Sequence, residues 1–214
     1  SLVGSFAELA REAILVDCDV DAANLHLIVK HKVRQRHTFS TSRRARIDQD
    51  RCQPCNVCFA ACRFDAVKRE AIGTTELAEA YSIDPLACEG CGLCIRLCPE
   101  RAILFEEIAS GEWYRSDSEY GPFLHARLGT AESNSGRLAS LLRREARELA
   151  TADGDTLIIT DGPPGIGCPV IASVSGASYV LIVTEPSLAA MHDMERLLEL
   201  TDHFAIPTGL CINK

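Results

Sequence analysis

Eight cysteines stand in two runs of identical spacing, and this repeat constrains the chain more than any other feature. Cys52, Cys55, Cys58 and Cys62 form the first run. Cys88, Cys91, Cys94 and Cys98, followed by Pro99, form the second. The offset is 36 residues, and it also matches Ile47 to Ile83, Asp48 to Asp84 and Ala66 to Ala102. Internal duplication is the simplest origin. Cysteines this close make strained disulfides. A zinc site takes four ligands, commonly as paired C-x2-C units, and does not need two runs of four. Three cysteines two residues apart can instead wrap one iron–sulfur cubane, while the fourth reaches the other cluster. The spacing therefore predicts two [4Fe–4S] clusters. Cys52, Cys55, Cys58 and Cys98 would hold one, and Cys88, Cys91, Cys94 and Cys62 the other.

The remaining cysteines, Cys18, Cys168 and Cys211, bring the total to 11 in 214 residues. An odd count in a chain of this length argues against a secreted disulfide framework and for metal chemistry in a reducing, cytoplasmic compartment. The net charge of −8 makes nucleic acid a poor default partner. The longest stretch without an acid or base, residues 162–184, is broken by four glycines and three prolines, so no membrane span is expected. Seven of the 22 basic residues fall in residues 30–46 without an acid among them. The run reads as a solvated β-ribbon with Val33 and Phe39 turned inward, in preference to a docking patch for an acidic partner.

The flanks of the repeat have a different character. Short apolar runs at 13–16, 156–160, 179–184 and 209–214 end in turn residues, which suggests strands of a parallel sheet buried on both faces. Amphipathic patterns lie between them. Leu138, Leu141, Leu142, Ala146 and Leu149 mark a helix over 136–150, and Leu188, Met191, Met194, Leu197 and Leu198 mark one over 187–200. Residues 1–10 read as a further helix that packs Phe6, Leu9 and Ala10 on the sheet. The alternation predicts an α/β, doubly wound, mostly parallel sheet, with ligands at the carboxyl ends of its strands. Those ends carry Asp17-Cys18-Asp19 and Asp161-Gly-Pro-Pro-Gly165.

The cysteine-rich segment resembles a bacterial two-cluster ferredoxin over roughly residues 47–107, with Arg63 where that pattern has proline. The segments VDCDVDAANLHL (16–27), GPFLHARLGTAESNSGRL (121–138), TDGPPGIGCPVIAS (160–173), TEPSLAAMHDMER (184–196) and INK (212–214) flank it in order. Together they resemble the deviant Walker-A ATPases related to MinD, ParA, Mrp and the nitrogenase iron protein. More narrowly, they resemble members that carry an inserted ferredoxin domain and are sometimes termed cobyrinic acid diamide synthase-like. The resemblance implies a P-loop NTPase-like body from residues 1–32 and 111–214, and an inserted α+β ferredoxin-like domain with its connecting ribbon at 33–110.

Residue roles follow from the resemblance. Asp19 is similar to the switch I aspartate that orients the attacking water. Asp161 is similar to the Walker B-like aspartate behind a magnesium-bound water. Asp17 stands near the magnesium shell, Gly165 meets the γ-phosphate through its N–H, and Asn213 reads the adenine. ATP or ADP with Mg2+, a redox protein partner and a homodimer are implied. The phosphate loop that defines the family does not occur among these residues, so the chain is expected to be part of a longer polypeptide, and whether it is an enzyme stays open. The leading reading couples ATP turnover to electron transfer. The alternatives are a nucleotide-independent ferredoxin-type carrier and a cluster carrier or assembly ATPase. Cys168 reads as a packed or redox-sensitive thiol, with a cluster shared across a dimer as the minority reading. Cys18 and Cys211 read as buried strand residues, and His125 and His192 as surface or capping residues.

Overall fold

The computed structural model describes residues 2–10, 12–71, 79–129, 134–152 and 156–213. In chain order its elements are α1 (Leu2–Ala10), β1 (Ile14–Asp17), α2 (Leu25–Ile28), β2 (His31–Ile47), α3 (Val57–Ala61), β3 (Val67–Ala71), β4 (Glu79–Ile83) and α4 (Leu93–Leu97). They continue with β5 (Ile103–Ser118), β6 (Gly121–Leu128), α5 (Ser135–Ala152), β7 (Ile158–Asp161), α6 (Cys168–Val174), β8 (Val180–Thr184), α7 (Leu188–His203) and β9 (Thr208–Ile212). The chain divides into two compact units, Ser1–Phe39 with Gly111–Lys214, and Ser40–Ser110. Among the described residues no helix is long and apolar enough to cross a membrane.

The first unit is built around β1, whose four residues are all buried. β1 runs parallel to β6 on one side and to β7 on the other. Alternate side chains therefore leave opposite faces, and both faces are covered. Ile14 and Val16 join Leu124, Ala126 and the α5 residues Leu138, Ala139, Leu142 and Ala146. Ala13 and Leu15 join Phe123, Leu25, Val29 and Ala7 of α1. A Cβ at Gly136 would lie 2.8 Å from the Cys168 Cβ, so the missing side chain lets α5 close on α6. The buried Arg143 of α5 donates to the Ala172 and Ser175 carbonyls at 3.1 and 2.7 Å and so closes the end of α6.

The α/β class holds, but the sheet is mixed. Its strand order is β2-β5-β6-β1-β7, and β5 and β6 pair antiparallel as a hairpin. β8 and β9 form a separate parallel pair. The short apolar strands and the basic ribbon of β2 were legible in the sequence, whereas β5 was not, because it is mostly partly exposed and shows no continuous apolar run. Three packing expectations are corrected. α1 packs through Val3, Ala7 and Ala10, while Phe6 and Leu9 face outward. On α7 the apolar stripe is largely exposed, Leu188 by 82%, and the buried residue is Thr201. Cys18 is fully buried but lies just past β1, and Cys211 is half-buried on β9.

The basic run is β2, as the ribbon reading predicted; Phe39 is buried, but Val33 is exposed. Four of its arginines have partners on β5. In the first unit Arg34 meets Asp117 at 2.6 Å and Arg36 meets Glu112 at 2.5 Å. In the second, Arg46 meets Glu106 and Arg43 approaches Glu107 at 3.8 Å. Exposed pairs of this kind stabilise little, but they offset four of the seven positive charges of the run.

The second unit contains the β3–β4 antiparallel hairpin, α3 and α4. Ala45, Ile47, Cys58, Val67, Tyr81 and Ile103 form its small buried core.

Candidate functional site

In the second unit the sequence repeat becomes a hydrogen-bond repeat. The Asp48 N–H donates to the Ala102 carbonyl at 2.7 Å, and the Asp84 N–H donates to the Ala66 carbonyl at 2.8 Å. Each half thus binds the other through matched residues. Asp48 then accepts from the Cys52 N–H at 3.0 Å, and Asp84 from the Cys88 N–H at 3.1 Å, so both cysteine loops start from the same turn. Each short helix begins after a residue in the left-handed region, Asn56 at φ 65° and Gly92 at φ 74°.

The crossing of halves sorts the cysteines. Cys52, Cys55, Cys58 and Cys98 line one open hollow of about 330 Å³. Cys62, Cys88, Cys91 and Cys94 line another of about 310 Å³. All eight are free thiols. Among the described residues no three metal-binding side chains converge on a point where a single ion would sit. A cubane has no such point, because its four ligands surround a body of metal and sulfide. Two hollows of similar size, each walled by four thiols and apolar side chains, therefore fit [4Fe–4S] clusters by donor chemistry.

The electrostatics agree. Burial pushes the Cys52, Cys58 and Cys94 thiols up, and neighbouring cysteines add to it. Crowded thiolates need a cation among them to coexist. Cys62 is the exception. Burial works to raise it, but the Phe64, Val67 and Ala66 N–H groups outweigh that and bring it below its ordinary value. The Cys98 sulfur accepts from the Ala102 N–H at 3.3 Å. Arg63, in the proline position of the ferredoxin pattern, lies over the Phe64 ring at 4.9 Å.

In the first unit the parallel register sets Asp17 of β1 beside Asp161 of β7 at their carboxyl ends. Asp17 Oδ1 accepts from the Asp19 N–H at 3.1 Å, and its Oδ2 accepts from the Leu25 N–H at 3.2 Å. Burial first, and the charge of Asp161 second, raise the Asp17 carboxyl to about 6. Burial and then Asp19 raise Asp161 as well. The fold thus brings Asp17, Asp19 and Asp161 together. Gly165 lies in the turn that follows, at φ 85°, with open space where a Cβ would stand. Asn213 follows β9, whose sheet is not hydrogen-bonded to that of β1 and β7.

Two features escaped sequence reading. His125 is a buried residue in an aromatic cluster and neither a surface nor a capping residue. It stacks on Phe123 and Tyr114 at 4.6 and 4.9 Å, meets His31 edge-on at 5.0 Å, and shares a hydrogen bond with the Ser116 hydroxyl at 3.1 Å. Burial, then His31 and His26, depress its pKa to about 4. No spacing in the sequence announces this cluster. The second is Tyr81, fully buried against the first cysteine hollow. Cys168 is exposed at the start of α6, which removes the packed reading of its thiol.

Comparison with known proteins places this site in a class. Residues 81–104 match the 4Fe–4S binding domain family, a span that holds the second cysteine run. The chain therefore carries a ferredoxin-type iron–sulfur domain. Over 201 residues it is 30% identical to the uncharacterized protein MJ0578 of Methanocaldococcus jannaschii, covering 94% of this chain and 67% of that protein, and it belongs to the same family. It is also similar to the uncharacterized protein MJ0579 of the same archaeon, at 22% identity over 112 residues, 52% of this chain and 40% of the relative.

Proposed function

We propose that this chain is an electron-transfer protein that holds two [4Fe–4S] clusters and serves a redox protein partner in a reducing, cytoplasmic setting. Cys52, Cys55, Cys58 and Cys98 would hold one cluster, and Cys62, Cys88, Cys91 and Cys94 the other. The observation that carries this is the sorting of eight free cysteines, four to each of two similar hollows. When bound, each cluster supplies reversible one-electron exchange. The chain's part is to supply the thiolates, aim backbone N–H groups at sulfur, and wall the clusters with apolar side chains that tune their potential. Anaerobic reconstitution tests this. About eight irons and eight sulfides per chain are expected, with magnetic coupling of the two reduced clusters. A plateau at about four irons overturns the two-cluster assignment.

A wider reading rests on the carboxylates. Asp17, Asp19 and Asp161 meet at the ends of parallel strands, where an α/β sheet places its ligands. On this reading Mg2+ with ATP or ADP binds there. Asp161 would hold a metal-bound water with Asp17 near the magnesium shell, Asp19 would orient the attacking water, and the Gly165 N–H and Asn213 would meet phosphate and base. Nucleotide state in a homodimer would then gate electron transfer. The test uses the natural full-length protein. Both cluster potentials should shift on addition of Mg-ATP, and potentials indifferent to nucleotide leave a simple two-cluster carrier.

A further inference from the structure

The two cysteine hollows are not equivalent, and the difference lies in a matched pair of residues. Asn56 corresponds through the 36-residue offset to Gly92. Both occupy the left-handed region immediately before a short helix. Glycine adopts that conformation freely, whereas any side chain resists it, asparagine less than most. Tyr81 corresponds through the same offset to Ala45. Tyr81 lines the first hollow with Asn56, and Ala45 lines the second with Gly92. Where the loop carries asparagine, a tyrosine faces it; where the loop carries glycine, an alanine stands instead.

The contact between the first pair is direct. The Tyr81 hydroxyl donates to Asn56 Oδ1 at 3.0 Å. Tyr81 is well placed to hold that atom, because its side chain is only 1% exposed and its carbonyl accepts from Gln49 Nε2 at 2.9 Å. The Phe59 ring, one turn along α3, lies 6.3 Å away. Asn56 sits between Cys55 and Cys58, so fixing its side chain fixes the loop that presents both thiols.

We infer that Tyr81 is a positioning residue for the first cluster alone, holding the Cys55–Cys58 loop in its left-handed turn through Asn56, a task glycine performs unaided in the second. This rests on the two-cluster reading above. Tyr81→Phe removes only the hydroxyl. In the anaerobically reconstituted protein it should make half of the iron leave to a chelator about tenfold faster, the equivalent of one hydrogen bond, with the other half within about twofold of wild type. The midpoint potential of one cluster should move while the other stays. Adding Asn56→Gly should restore the release rate to within about twofold, since glycine no longer needs the tyrosine.

Equal acceleration of both halves would make Tyr81 an ordinary core residue and overturn the inference. So would no change at all, or a failure of Asn56→Gly to rescue. A wild-type iron count near four per chain overturns the two-cluster reading and this inference with it. A count near eight with both halves indifferent to Tyr81→Phe overturns this inference alone.

Discussion

Asp17 and Asp161 are register partners on neighbouring parallel strands, and only the first is sealed from water, at 1% exposure. Two carboxylates end-on at one edge of a sheet repel each other, and the charge of Asp161 adds to burial in raising the proton affinity of Asp17. The fold keeps Asp17 there by giving its oxygens two backbone donors, from Asp19 and Leu25. These lower its pKa, but not enough to offset burial. Such a pair holds a proton or a cation more readily than two free charges.

Asp17 makes stability fall with rising pH. Its folded pKa of about 6 lies above the ordinary 3.8, so the folded state binds the proton more tightly. That stabilisation is complete below the unfolded value and is lost as pH rises through about 6. Asp17→Asn removes the dependence. Relative to wild type, the variant should gain about 2–3 kcal/mol between pH 4 and pH 7, read from urea unfolding at each pH. A constant difference across that range would show that Asp17 ionises as freely in the folded chain as in the unfolded one.

His125 acts in the opposite sense. Its folded pKa of about 4 lies below the ordinary 6.5, so the unfolded chain takes up the proton first. Stability therefore falls as pH drops from 6.5 towards 4, by about 3 kcal/mol in all. Over pH 4 to 6 the two residues largely cancel in the wild type. His125→Phe keeps a ring in the stack and removes the titration. Its unfolding free energy should rise relative to wild type as the solution is acidified. A parallel pH profile for the two proteins rejects the assignment.

Gly90 is the test of the second hollow. A Cβ there would lie 2.1 Å from the Arg43 carbonyl oxygen, at φ +63°, so alanine forces the loop between Cys88 and Cys91 away from β2. Gly90→Ala should reduce iron after reconstitution from about eight to about four atoms per chain, measured together with acid-labile sulfide. Full iron content in the variant would mean that this close approach is not needed to form the second site.

Gly136 tests the helix packing of the other unit. Alanine would bring its Cβ within 2.8 Å of the Cys168 Cβ and 3.0 Å of the Cys168 carbonyl carbon. Backbone cannot rotate away, so α5 and α6 must separate. Gly136→Ala should cost about 1–3 kcal/mol, seen as a fall of several degrees in Tm. A Tm unchanged within a degree or so would show that the helices yield without cost.

The cysteine runs, the apolar strands at 14–17, 158–161, 180–184 and 208–212, and the long helix at 135–152 were legible from the residues alone. Each is a local signal: ligand spacing, β-rich runs closed by turn residues, or a 3.6-residue stripe. The same local reading placed Asp17, Asp19 and Asp161 at strand ends, because turn residues follow apolar runs there. It put Phe6 and Leu9 on the wrong face of α1, since a short helix with apolar residues on several sides does not declare which side the sheet will cover. It overlooked β5 because a half-exposed strand paired on both edges needs no apolar run.

What only the tertiary structure decided is pairing at a distance. The 36-residue repeat is written in the chain, but the exchange of Asp48 with Ala102 and Asp84 with Ala66 exists only once the halves meet. The mutual ion pairs of β2 and β5, the packing of His31 on His125 and the Tyr81–Asn56 contact are of the same kind. Each joins residues whose spacing follows no period of helix or strand. Sequence determines such contacts through the whole fold, by burying apolar surface and satisfying backbone donors together, and no window along the chain contains both partners.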